Sequence, residues 1–191
     1  QSTLEAYYAY LNELVQKIKV ADPSRPVGVE VLGRKNLKLI SGLLPDADAI
    51  GVYGREGAWA WGQVFDGLRR DFSKPVVVLA YGADSFNMQT GEADEDAQAW
   101  AIQSQWNAID PQTTHLSPEG RVFGGFIYEW TDSWWKADPS NPSNWTVQDK
   151  TAQESSAAYP SDYDPAGRNN VNDEWFGILK LKPAGPGAEP V

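Results

Sequence analysis

Continuous apolar runs alternate along this chain with segments of helical periodicity, and that alternation constrains the fold more than any other feature. Val27 to Leu32, Ala49 to Tyr53, Val76 to Leu79 and Val122 to Trp130 read as strands. Such runs suit strands covered on both faces, as in parallel sheets. Leu4, Tyr7, Tyr8, Leu11, Leu14, Val15 and Ile18 open the chain as a helix, with Ser2 and Glu5 at capping-box spacing. A short helix is predicted from Lys35 to Leu44, and Val64, Phe65, Leu68 and Phe72 mark a third. A fourth is predicted from Glu92 to about Ile109; its acids Glu92, Asp94, Glu95 and Asp96 suit a helix N-terminus better than a cation site. The order is one helix, three strand–helix units and a last strand, which predicts an α/β fold with a helix-covered parallel sheet.

The connections are uneven. Gly54, Gly57, Trp59, Trp61 and Gly62 read as a loop, as does Gly82 to Gly91. Thr131 to Asp173 is irregular and dense in Pro, Asn, Ser and Asp, and loops of that length are usually functional. Trp175 to Leu181 reads as a short closing strand and 182–191 as a disordered tail. The expected organisation is one domain over 1–181, with a long loop over 131–173. The 191 residues suit one domain but fall short of a complete eight-stranded α/β barrel, typically about 250 residues.

Composition narrows the function. Sixteen Lys and Arg against 26 Asp and Glu give a net charge of −10, which argues against nucleic-acid and anionic-membrane partners. No apolar run reaches the ~20 residues of a membrane helix, and no basic segment followed by an apolar one opens the chain as a signal peptide. With no cysteine, disulfides and thiolate metal sites are excluded and the compartment stays open. No Gly-rich fingerprint follows a strand, so no dinucleotide cofactor is expected. His115, the only histidine, sits in a polar loop and reads as a surface residue, so neither a metal site nor Ser-His catalysis is expected. Asn144-Trp145-Thr146 fits a glycosylation sequon of the kind chance often supplies. Nine Trp and eight Tyr exceed what a core of this size requires and suggest a flat apolar ligand surface, for which sugars are the commonest partner.

In parallel α/β sheets ligands bind beyond the C-terminal strand ends. Those ends carry Tyr53 with Arg55 and Glu56, the run Leu79 to Asp84, and the run Tyr128 to Asp132. Alternation sets Glu129 opposite Tyr128 and Trp130, where a carboxylate needs a cation or hydrogen-bond partner. Glu30 lies mid-strand, as a candidate buried base. Trp130, Trp134 and Trp135 crowd too closely for all to be core, so at least one is expected to face a ligand.

These segments carry a resemblance. Lys74-Pro75-Val76-Val77-Val78-Leu79-Ala80-Tyr81-Gly82-Ala83-Asp84 resembles the seventh strand of clan A retaining glycoside hydrolases, closest to family 2-like β-glycosidases and β-glucan-active barrels. Gly124 to Lys136 looks like their eighth strand, and Asn172 to Ile178 like the chain that follows it. Asp48 to Tyr53 is similar to the sixth strand, and Arg25-Pro26-Val27 begins the fifth. The resemblance implies the C-terminal half, strands five to eight, of a TIM (β/α)8 barrel, completed by another copy or by an N-terminal half-barrel chain. It also implies an oligosaccharide or β-glucan ligand lined by Tyr53, Tyr81, Trp130, Trp134 and Trp135, with no cofactor. The family nucleophile is a Glu where Ala80 stands, and the acid/base Glu belongs to a strand outside this chain. The implied protein is thus a fragment or variant of a β-glycosidase with a vacant nucleophile position. The alternatives are a non-catalytic carbohydrate-binding half-barrel, or an engineered TIM barrel with a repurposed pocket and Glu30 as base. Members of such families are often secreted or periplasmic, and the sequence leaves that open.

Overall fold

A computed structural model describes residues 2–31, 36–54, 57–87, 90–117, 120–136, 140, 148, 150, 154–155 and 170–181. The predicted α/β fold is observed, with a four-stranded parallel sheet consistent with part of a TIM barrel. Its strands are β1 (Gly28–Glu30), β2 (Ala49–Gly54), β3 (Val76–Tyr81) and, later in the chain, Val122–Ile127. Two short hairpin strands, β4 (Phe86–Asn87) and β5 (Glu92–Ala93), pair antiparallel, which makes Val122–Ile127 β6. The helices are α1 (Thr3–Ala21), α2 (Leu37–Leu43), α3 (Ala58–Asp71) and α4 (Glu95–Ile109). Glu154–Ser155 and Asn170–Val171 form a further antiparallel pair.

The chain forms two compact units. The first comprises Gln1–Tyr53, Trp59–Ala80 and Asn107–Phe126, and the second Gly54–Ala58, Tyr81–Trp106 and Ile127–Val191. The first unit holds nearly all of the sheet, in the order β1-β2-β3-β6. The second is built from segments that leave the C-terminal ends of β2, β3 and β6.

In the first unit α1 begins as its sequence dictates. Ser2 and Glu5 form the reciprocal capping box, with the Ser2 N–H donating to Glu5 Oε2 at 2.9 Å and the Glu5 N–H to Ser2 Oγ at 3.3 Å. Tyr8, Asn12 and Val15 are its buried face. Asn12 Nδ2 donates to Asp46 Oδ2 at 2.7 Å, and the Lys19–Asp48 ion pair spans 2.7 Å, so α1 is tied to the turn before β2. The Lys19 bond and the Val27 N–H hold the Asp48 carboxyl below its usual range.

The sheet has two unlike faces. Val29, Ile50, Val52, Val76 and Val78 are buried on one. On the other, Glu30 pairs in register with Gly51, and a Cβ on Gly51 would lie 2.3 Å from Leu79 Cδ1. Tyr53, Leu79 and Phe123 are exposed. These apolar runs leave large side chains uncovered, as a sheet that forms only part of a barrel implies.

Several boundaries differ from expectation. α3 begins at Ala58, inside the predicted Gly/Trp loop, because Trp61 is an anchor only 1% exposed and stacks 5.7 Å from Phe65. Glu92 belongs to β5, not to α4, and Asp94 caps the helix by accepting the Ala97 N–H at 3.0 Å. β6 ends at Ile127 rather than Trp130, and Trp175 lies in a 3-10 turn, Asp173–Trp175, rather than a strand. One exchange of partners explains both: the Tyr128 N–H still donates to Tyr81 O, but the Glu129 N–H donates to Phe176 O. The chain after the turn then runs beside residues 129–132, with a single parallel bridge, Thr131 to Leu179. His115 is exposed in a turn, as predicted. Arg55, Glu56, the sequon at Asn144, most of the expected 131–173 loop and the expected tail lie outside the described residues.

Candidate functional site

The residues singled out above divide between the two units. Glu30, Tyr53 and Ala80 belong to the first, and Tyr81, Trp130, Trp134 and Trp135 to the second. Glu30 is exposed on β1, and the idea of a buried acid is corrected. Ala80 sits next to last in β3, half-buried, following Val76 and Val78 in the alternation while Leu79 projects with Gly51. Tyr81 is buried and its ring stacks 5.8 Å from Trp106, where burial raises its phenol pKa.

The three clustered tryptophans have different fates. Trp130 is 68% and Trp135 49% exposed, whereas Trp134 is 3% exposed. Trp134 opens a 3-10 turn, Trp134–Lys136, and its indole N–H has no hydrogen-bond partner among the described residues. Lys136, closing that turn, organises the surface. Its ammonium donates to Glu129 Oε1 at 2.8 Å and to the Tyr128 hydroxyl, and lies 5.9 Å from the Trp135 ring. The cation partner expected for Glu129 is therefore Lys136. Burial works against the Lys136 charge, but the bonds to Glu129 and Tyr128 outweigh it and hold the pKa above that of an ordinary lysine.

Beneath these residues lies a polar frame that sequence reasoning missed. Gln105 is fully buried and clamps Gly82 from both sides, accepting its N–H at 3.3 Å and donating to its carbonyl at 2.8 Å. Two helical turns earlier, Gln98 donates to the carbonyls of Ala83, Trp175 and Gly177. Asp84 accepts the Asn172 N–H at 2.7 Å, and Asp132 accepts the Gly177 N–H at 2.9 Å and Gln148 Nε2 at 3.0 Å. Packing supplements the bonds, with Phe86 5.0 Å from Trp175 and Tyr128 5.5 Å from Phe176. The spacing of Gln98, Ala101 and Gln105 was the available signal, since it sets two amides on the buried stripe of α4.

Asp132 is the most perturbed acid of this frame. Burial pushes its carboxyl up to about 6, against the pull of the Gly177 and Gln148 hydrogen bonds and the Lys180 charge, while Glu129 adds to the rise. A carboxyl raised above its unfolded value binds its proton more tightly in the native state. Its favourable contribution is therefore complete below about pH 4 and is lost as pH rises toward about 6. Between pH 5 and pH 7 this one group should lower stability by roughly 1 kcal/mol. Urea denaturation at both pH values checks this: Asp132→Asn should remove that part of the pH dependence, and an unchanged difference would refute the assignment.

Among the described residues no three acidic or histidine side chains converge as a metal site, and no helix is long and apolar enough to cross a membrane.

No family model and no curated protein matches the chain. Solved structures do resemble it. An active-site mutant of Rhizomucor miehei β-1,3-glucanosyltransferase in complex with laminaritriose superposes with a TM-score of 0.52 at 12% identity, over 91% of this chain and 53% of that one. The GH2 β-galacturonidase from Eisenbergiella tayi gives 0.49 at 18%, over 70% of this chain and 25% of that one. Bacteroides uniformis β-glucuronidase gives 0.46 at 16%, over 88% and 17%. The chain thus spans about half the length of the first and a quarter or less of the others. At 12% identity the likeness to the glucanosyltransferase is one of fold alone: this chain shares part of its α/β architecture.

Proposed function

We propose that this chain is a carbohydrate-active half-barrel of the retaining β-glycosidase type, binding β-linked glucan oligosaccharides, with Ala80 at the nucleophile position. The observation that carries the sugar ligand is the pair of exposed indoles, Trp130 and Trp135, on the segment leaving β6. Pyranose rings present flat C–H faces, which indoles bind by apolar contact, and the Lys136–Glu129 pair beside Trp135 offers polar groups at the margin. Buried Trp134 and Tyr81 support the segment in this reading rather than touching the sugar.

A methyl group cannot attack an anomeric carbon, and the retaining route needs two carboxyl groups about 5–5.5 Å apart. That favours the second reading, a chain that binds sugar without cleaving it, for the protein as it stands. The partner we propose is a complementary half-barrel, either an N-terminal half-barrel chain or a second copy. Its support is the uncovered sheet face bearing Tyr53, Leu79 and Phe123, together with the position of β1 and β6 at the two ends of the strand order.

Laminaritriose, the ligand held by the glucanosyltransferase, is the natural probe. Titration should change the tryptophan fluorescence, and Trp130→Ala should weaken binding by about 1–3 kcal/mol, the worth of one desolvated aromatic contact. No spectral change at millimolar sugar, with the fold intact by circular dichroism, would overturn the sugar surface.

A further inference from the structure

The Lys136–Glu129 pair has bonding capacity to spare beside an exposed indole. We propose that it reads a vicinal diol: one hydroxyl of a pyranose donates to Glu129 Oε2 while its neighbour accepts a hydrogen bond from the Lys136 ammonium. The proposal rests on the sugar-surface reading above and adds to it the feature of the sugar that is selected.

The unused groups can be counted. An ammonium has three N–H donors, and among the described residues Lys136 spends two of them, on Glu129 Oε1 at 2.8 Å and on the Tyr128 hydroxyl. One donor remains. A carboxylate has two accepting oxygens, and only Oε1 of Glu129 bonds a described residue. Its Oε2 is not among the atoms shut away from solvent without a partner, so it stays open to a ligand. The Lys136 and Glu129 side chains are 13% and 20% exposed, which makes the pair sheltered but reachable.

Donor and acceptor are also fixed in advance. The Glu129 N–H donates to Phe176 O at 3.1 Å and its carbonyl accepts the Ile178 N–H at 3.0 Å, while the Lys136 N–H donates to Ser133 O at 3.0 Å. The ammonium lies 4.5 Å from the Tyr128 ring centre and 5.9 Å from that of Trp135. Little ordering is then left to oppose binding.

That arrangement selects its ligand. The two charges cancel, so the pair suits a neutral molecule. Gauche hydroxyls on adjacent pyranose carbons hold their oxygens about a hydrogen-bond length apart, one free to donate and the other to accept. A carboxylate oxygen beside an ammonium N–H is the complement of that edge, and both bonds are charge-assisted. Trp135, 49% exposed, supplies the flat surface: a sugar resting its C–H face on the indole turns its hydroxyl edge toward the pair.

The test uses methyl β-glucoside and two deoxy analogues, titrated by calorimetry and tryptophan fluorescence up to a few hundred millimolar. The 3-hydroxyl belongs to both vicinal pairs of this glucoside, so the 3-deoxy analogue has none, whereas the 6-deoxy analogue keeps both. The 6-deoxy analogue should bind within about twofold of the parent and the 3-deoxy analogue roughly tenfold more weakly. The double variant Glu129→Gln/Lys136→Met removes both charges together and strands neither, with its fold checked by circular dichroism. It should bind the parent about tenfold more weakly and no longer distinguish it from the 3-deoxy analogue. A pair that only supports the chain would weaken all three glucosides alike and leave their ratios in place. Equal binding of the parent and the 3-deoxy analogue by the unmodified protein overturns the proposal, and so does a ratio that survives in the double variant. The first comparison does not depend on the variant folding. Laminaritriose binding without selectivity for the 3-hydroxyl, or without any binding of the glucoside, removes the diol contact and leaves the glucan surface standing. No binding of either sugar removes both.

Discussion

Ala80→Glu, assayed with a complementary half-barrel supplied, is expected to raise hydrolysis of a nitrophenyl β-glycoside by roughly three orders of magnitude or more. The reason is chemical. In double displacement the first step forms a glycosyl–carboxylate bond, and the Ala80 side chain offers only a methyl. Restoring the carboxylate restores a covalent route, and each tenfold in rate is about 1.4 kcal/mol of barrier. The nitrophenolate leaving group reduces the need for protonation, so the assay reports the nucleophile. Sedimentation of the mixture should show a complex, and the isolated chain should be silent because it holds no acid/base strand in this reading. Formate or azide should partly rescue the Ala80 protein by entering the space the carboxylate would fill.

Leu79→Glu is the informative control. Leu79 is exposed on the sheet face shared with Gly51, whereas Ala80 follows the buried valines in the alternation. Activity from the Ala80→Glu substitution alone would place the reacting carboxylate at the end of β3 as proposed. Activity from Leu79→Glu alone would move the assignment by one residue, to the other face of the strand. An assembled Ala80 protein as fast as its Ala80→Glu variant would remove position 80 from the chemistry altogether.

What the sequence made legible was local or periodic. The capping box of α1 rests on two residues three apart, and the strand runs of β2 and β3 are strings of apolar residues, so both were readable. The α3 start was hidden because Gly57, Trp59 and Gly62 lower local helix propensity, and what fixes that turn is the burial of Trp61. The end of β6 was unreadable for a different reason: Glu129 changes its backbone partner to Phe176, 47 positions further along, and no short window contains that exchange. At the candidate site, composition pointed to aromatic surface, and Trp130 and Trp135 are exposed. It could not say which of three neighbouring indoles turns inward. Nor could it show that Gln98, Gln105, Asp84 and Asp132 are buried hydrogen-bonding parts, since polar residues on a helix or loop read as solvent-facing by default.

That frame predicts opposite signs for one chemical change made at two glycines. Gly177→Ala should destabilise the protein by roughly 3 kcal/mol or more, the scale reached when overpacking and a broken buried hydrogen bond act together. A Cβ at position 177 would lie 2.1 Å from Asp132 N, 2.5 Å from Thr131 C and 2.7 Å from Asp132 Oδ1. Two of those are backbone atoms, held by the pairing of residues 129–132 with the closing segment, so they have little freedom to retreat. Moving Gly177 instead would break its N–H bond to Asp132 at 2.9 Å and the Gln98 bond to its carbonyl at 3.2 Å, leaving a buried acid short of a donor. Gly62→Ala is the counterpart. Gly62 is exposed within α3, and a Cβ there meets nothing within 4 Å, so the methyl should stabilise by about 0.5–1 kcal/mol through helix propensity and a less flexible unfolded chain. Urea unfolding followed by tryptophan fluorescence reads both. A Gly177→Ala midpoint within error of the parent would mean that the closing segment is not fixed by Asp132 and Gln98, and the polar frame would have to be reassigned.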